Sequence, residues 1–355
     1  MAATTQSIGA NESVNVRAEY SQGGLRFDRA FTLLSMLFLA GLWIDGWAHF
    51  HGRVDDSFFT PWHLVFYSAF GLCAAFLIIN LFLNVRKGFS FTRALPKGYW
   101  LSLIGVTIFA LGGVGDMIWH TLFGIEDGTE ALLSPTHIML AIGMALVFTG
   151  PVRAAWNRAQ STDASGQRGW GALAPMIICI TLVLSLIWFF TSYANPIALP
   201  LAARGAFRGP SDTLQDFGVT GILMTMAIMS SIIVLLAWRW KLPFGAFTLL
   251  LTASTALLTV LIDSYWFIPG ALITGVITDI FYARFKPSPE RLGALALFAF
   301  ITPALYMAAY FITVQVIAGV IWSIHVWTGA IFLSGIIGLL ALFVVNGALH
   351  LKPNE

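Results

Sequence analysis

Six residues of this chain have the types and spacing of metal ligands, and they come in two matching sets. Asp45 and His49 stand four residues apart near the end of one apolar run, and His63 opens the next after Thr60-Pro61-Trp62. Asp116, His120 and His137 repeat the pattern, with Ser134-Pro135-Thr136 before the last histidine. The Asp-to-Asp and first His-to-His offsets are both 71 residues, and the trailing histidines are 74 apart. An i, i+4 pair lies on one face of a helix, so each Asp can point with its neighbouring His at a common centre. Thr60 and Ser134 suit N-cap positions, and Pro61 and Pro135 the first helical position. That grammar puts His63 and His137 on first turns, able to face back across a hairpin. One carboxylate with two imidazoles is a recurrent ligand set for zinc, non-haem iron and copper(II), and three protein ligands leave positions open for an exogenous molecule. A single Asp or His near a helix end is more often a cap or a hydrated surface group, but independent caps need not repeat both type and spacing.

Acidic residues follow each Asp/His pair: Asp55 and Asp56 in the first copy, Glu126, Asp127 and Glu130 in the second. The first copy is also flanked by Trp43, Trp47, Phe50, Phe58, Phe59 and Trp62. Such an aromatic shell is expected to exclude water and admit a lipid-soluble molecule, as oxygen activation on an unreactive C–H bond requires. Asp45, His49 and His63 are therefore expected to form the reactive centre, with the second set structural or exchangeable. His51 points elsewhere on its helix, as a support to the ligands or a loop residue. Cys73 and Cys179 lie well inside apolar runs and imply neither a disulfide nor a thiolate metal site. Met224, Met226 and Met229 read as core filler. Asp279, in the middle of a run, should face protein or water.

The elements that must carry these residues are membrane helices. Of 355 residues, 58% are hydrophobic and 10% charged, with a mean hydropathy of +0.81. This predicts an all-α integral membrane protein. About ten transmembrane helices are expected, near 30–50, 62–84, 99–122, 135–156, 171–194, 214–238, 243–265, 268–284, 292–313 and 319–346. The eighth reads as short, and the ninth and tenth as nearly fused. Helices 1–4 form a duplicated helical hairpin. All but three of the nineteen Lys and Arg residues (Arg53, Arg204 and Arg208) fall on one set of alternate ends. By the positive-inside rule both termini are expected to be cytoplasmic, in the cell membrane, with six of the seven histidines toward the outer face. The expected organisation is a cytoplasmic tail (1–28), a metal-binding four-helix unit (29–158), a cytoplasmic linker (159–169) and a six-helix membrane unit (170–355). There is no Gly-rich phosphate loop, no nucleophile elbow and no basic patch suited to nucleic acid.

At the ligand motifs, over about residues 40–145, the chain resembles the copper-binding membrane subunit of the particulate methane and ammonia monooxygenase family. The likeness is carried by Asp45, His49 and Asp56-Ser57-Phe58-Phe59-Thr60-Pro61-Trp62-His63, then by Asp116, His120-Thr121-Leu122-Phe123, Glu126 and Pro135-Thr136-His137. Asp116 stands where that family usually has an amide. The resemblance implies one copper on Asp45, His49 and His63 and a second on Asp116, His120 and His137. It further implies a component or relative of a copper-dependent membrane monooxygenase, an oxidoreductase acting on a small apolar substrate, with partner subunits or self-association. Two other classes use the same ligands: a copper storage, insertion or transport protein, and a zinc-dependent membrane hydrolase with Glu126 or Glu130 as base. Ligand type alone leaves zinc and iron open beside copper.

Overall fold

In a medium without water a backbone must satisfy its own hydrogen bonds, and the long apolar runs of this chain do so as helices. The computed structural model describes residues 20–53, 58–126, 128–158, 169–205 and 211–350. These form α1 Gly24–Phe50, α2 Pro61–Arg86, α3 Trp100–Phe123, α4 Gly128–Leu133, α5 Pro135–Phe148, α6 Gly150–Arg158, α7 Trp170–Phe190, α8 Asp212–Arg239, α9 Ala246–Leu261, α10 Phe267–Phe285, α11 Leu292–Ile317 and α12 Ile324–His350. Among the described residues, nine helical stretches are long and apolar enough to cross a membrane, α5 and α6 counting as one, and α9 is a shorter apolar helix. The chain is thus an all-α, multi-pass membrane protein. Asp55, Asp56, Asp127 and nearly all of the expected linker lie outside the described residues.

Three expectations about the spans change. The short helix is α9, with 16 residues, while α10 has 19. The left-handed Gly245 (φ 90°) starts α9, and Asp263, with a positive φ of 52°, follows its end. Asp279 of α10 explains how an acid sits inside an apolar helix. Its carboxylate accepts from the Phe247 amide at 3.3 Å, the Thr248 amide at 2.8 Å and the Thr248 hydroxyl at 2.6 Å. It therefore caps the start of α9 from a neighbouring helix, where the helix dipole favours a negative group. Helices α11 and α12 are separate, joined by a turn whose Val320 pairs with Ala203. The third change is at the start: α1 begins inside the stretch expected as tail, and Asp28 is buried in it. Tyr99 donates a hydrogen bond to Asp28 at 2.6 Å, and the Arg158 guanidinium lies 2.6 Å from its other oxygen.

Close helix approach positions the ligand-bearing ends. Helices α3 and α5 meet through glycines: a Cβ on Gly105 would lie 2.7 Å from the Gly143 carbonyl, and one on Gly143 2.8 Å from the Phe109 amide. Gly41 lets α2 pass α1 closely, since a Cβ there would lie 2.8 Å from the Phe66 Cα. Beneath the ligands the Phe38 ring contacts Phe66, Phe70, Phe109 and Phe148, so α1, α2, α3 and α5 share an aromatic core. Helix α7 packs on this unit from the side, with Phe189 against Trp43 at 5.2 Å.

Candidate metal centre

The first ligand set is assembled by one hairpin. Asp45 and His49 lie one turn apart near the end of α1, and His63 stands on the first turn of α2. The predicted cap is present: Thr60 Oγ1 accepts from the His63 amide at 3.1 Å, with Pro61 at the first helical position. His63 Nδ1 meets the Phe58 carbonyl at 2.5 Å. A carbonyl only accepts, so Nδ1 holds the proton and Nε2 offers its lone pair. That Nε2 lies 3.5 Å from Asp45 Oδ2.

The second set repeats this construction. Ser134 Oγ accepts from the His137 amide at 3.4 Å and also contacts His137 Nδ1 at 2.9 Å. Asp116 sits between both histidines, with Oδ2 3.6 Å from His120 Nε2 and Oδ1 3.2 Å from His137 Nε2. Thr136 donates to Asp116 Oδ1 at 2.9 Å and so fixes the carboxylate. Behind His120, Nδ1 lies 3.3 Å from the Gly124 carbonyl and 2.9 Å from Glu126 Oε2. The N–H is aligned with the carbonyl. The Glu126 contact is electrostatic, and both Glu126 oxygens are buried without a hydrogen-bond donor.

These dimensions suit a metal ion. Within each set the candidate ligand atoms all lie within 4.8 Å of one another. Two donors each about 2.1 Å from one ion are about 3.4 Å apart at a tetrahedral angle, so the paired distances of 3.2–3.6 Å are those of atoms sharing an ion. Asp45 Oδ1 is also buried without a hydrogen-bond partner, which an arriving cation would correct. Four of the six residues are almost wholly buried, Asp45, His63 and His120 at 8% exposed and Asp116 at 1%, while His49 and His137 are half-buried.

Five of the six residues, all but His120, open on one cavity of about 190 Å3. Asp45, His49 and His63 line it from one side, and Asp116, His137 and Glu126 from the other. Its remaining walls are apolar, including Phe50, Phe66, Leu140, Met144, Phe189 and Phe190. Phe58 stands between the two sets, its ring 4.9 Å from that of His63 and 6.1 Å from that of His120. On the far side of Phe58 and His120, a second, more open groove of about 420 Å3 is lined by Phe59, Met117, Ile118 and Leu122.

All six predicted ligands are brought together as two sets of three. The aromatic shell expected around the first set is only partly there. Phe50 lines the cavity and Phe58 contacts His63. Trp43 instead donates to the Leu257 carbonyl, Trp62 donates to the Arg53 carbonyl, and Phe59 is 82% exposed. The replacing walls come from α7, whose Phe189 fits because Gly46 has no side chain; a Cβ there would lie 2.5 Å from the Phe189 ring. His51 is outside the cavity, stacked on Trp47 at 4.3 Å and bonded to Asp263 at 2.9 Å. Hydrogen bonding to Asp263 and then to the Trp47 carbonyl raises its pKa, while His51 and then Tyr265 hold that of Asp263 down. Glu130 and His325 are exposed, and Met226 and Met229 are buried core. Sequence reasoning missed Tyr67, whose spacing of four from His63 was the available signal. Compared with protein-family models, curated proteins and solved structures, the chain matches none.

Proposed function

We propose that the protein is a membrane-embedded copper protein, with Asp45/His49/His63 and Asp116/His120/His137 as its two sites. We read it as a relative or component of a copper-dependent membrane monooxygenase acting on a small apolar substrate. The observation that carries this reading is the pairing of two buried Asp/His/His sets on one cavity whose other walls are apolar. The motif resemblance to the methane and ammonia monooxygenase subunit supports the choice of copper. Copper, when bound, supplies one-electron chemistry toward dioxygen.

The chain's own residues do the rest. Phe58 and Ser134 orient His63 and His137, and Thr136 holds Asp116. Phe66, Phe189 and Phe190 keep water out and present an apolar surface to the substrate. The reactive centre is assigned to Asp45, His49 and His63, and the exchangeable site to the second set, which has Glu126 beside it. The sites face outward and both termini are cytoplasmic in this reading. A tag inserted within 126–132 should then be reachable from outside intact cells, and one within 86–97 should not; the reverse pattern would invert the topology.

A zinc-dependent hydrolase is the second reading, favoured by the buried carboxylate of Glu126, which has no hydrogen-bond donor and stands beside His120. Metal analysis with EPR on purified protein separates the two, since zinc is EPR-silent. Copper near two per chain, falling by about one in Asp45→Ala and in His120→Ala, is the expected result. Zinc alone, or copper unaffected by both changes, would reject the copper reading. Bound copper without oxygen-dependent turnover would assign storage or insertion instead.

A further inference from the structure

Tyr67 has no place in either ligand set, yet its hydroxyl is buried without a hydrogen-bond partner. It stands one turn beyond His63 on α2, its ring 6.1 Å from that histidine and 5.8 Å from Phe58. It also lines the cavity on which both sets open. Room for it is made on α3, one turn before Asp116: a Cβ on Gly113 would lie 2.8 Å from Tyr67 Cε1 and 3.1 Å from its hydroxyl oxygen. The residue at the matching place after His137 is Ala141, so the repeat has one phenol and not two.

The other buried polar atoms at the cavity without a hydrogen-bond donor are Asp45 Oδ1 and both Glu126 oxygens, which as carboxylates only accept. They call for cations, whereas a phenol O–H calls for an acceptor. Charge says which kind. Among the described residues lining the cavity, Asp45, Asp116 and Glu126 supply three negative charges when their partners are metal ions, and two divalent ions supply four positive ones. One positive charge is left over in a mostly apolar cavity, where an uncompensated charge is costly. We infer that the space between the two Asp/His/His sets is a subsite for one small anion, such as a hydroxide or another compact monoanion, and that Tyr67 donates a hydrogen bond to it. This rests on the reading that each set holds a divalent ion. Tyr67 is then a positioning residue that sets where the anion sits between the sites.

The test uses the full-length protein in detergent, loaded with copper(II) and titrated with azide as the anion. Copper content, the azide-dependent absorption band and the EPR spectrum are read together. Wild type should take two copper ions and one azide. Tyr67→Phe keeps the ring, should retain two copper ions, and should bind azide about ten-fold or more weakly, the loss expected for a hydrogen bond to a charged group. Gly113→Ala, which displaces the phenol without removing it, should weaken azide in the same direction with copper unchanged. Equal azide affinity in wild type and both variants, at two copper ions per chain, would overturn the role of Tyr67. Two azides binding independently would overturn the single shared subsite. Fewer than two copper ions in wild type would instead refute the two-site reading itself, and the charge argument with it.

Discussion

His120 Nδ1 lies 2.9 Å from Glu126 Oε2, whereas behind His63 the Phe58 carbonyl stands and, among the described residues, no carboxylate does. The two sets share ligand types but differ in what supports them. An anion behind a ligating imidazole raises its donor strength and favours the higher charge on the ion in front of it. The neutral carbonyl behind His63 orients without adding charge.

Glu126→Gln should therefore weaken metal at the second site by about ten-fold, within the range for loss of such a supporting contact, and leave the first site unchanged. Competition titration with a copper chelator would resolve the two affinities. Equal weakening of both sites would show that Glu126 acts on the whole cavity and not through His120.

The assignment of chemistry is tested by His63→Ala against His137→Ala. Each should lose about one metal ion, and only His63→Ala should lose oxygen-dependent turnover. If His137→Ala abolishes turnover while His63→Ala leaves it, the roles of the sites are exchanged.

Gly143→Ala probes the helix contact that aligns Asp116 with His137. Its Cβ would meet backbone atoms, the Phe109 amide at 2.8 Å and the Gly105 carbonyl at 2.9 Å, which cannot rotate away. The expected cost is about 1–3 kcal/mol of stability with weaker metal binding at the second site. Gly71→Ala is the control, since a Cβ there meets nothing within 4 Å. Thermal unfolding in detergent should place Gly143→Ala well below wild type and Gly71→Ala at or slightly above it.

The clasp of His51 and Asp263 should depend on pH. The folded pKa of His51 is raised above 6.5, so its contribution is complete below about that pH and fades as pH rises through the raised value. The folded pKa of Asp263 is lowered below 3.8, so its contribution is present above about that pH and fades as pH falls through the lowered value. The ion pair is thus strongest between these limits, with Arg53 opposing the charge on His51 and Tyr265 donating to Asp263. Asp263→Asn should return the His51 titration toward its ordinary value, measured by NMR of the labelled ring. An unchanged titration would show that the Trp47 carbonyl alone sets it. Asp263 is exposed and His51 only half-buried, so the effect on global stability should be small.

Residue order alone determined the membrane class, the ten apolar runs and the six candidate ligands. These are local properties: hydropathy follows composition, and the i, i+4 pairs and the Thr60 and Ser134 caps follow from helical geometry within one turn. Tertiary structure decided that both ligand sets face one cavity, that Glu126 stands behind His120, and that Tyr67, Phe189 and Phe190 line the space between. It also decided that Asp279 caps a helix other than its own, and that Trp43 and Trp62 turn away from the ligands. The reason is physical. A helix apolar on every side carries no amphipathic stripe to say which face will meet a neighbour. The choice falls to close approach at small residues such as Gly46, Gly105, Gly113 and Gly143, and that fit exists only once the helices are packed.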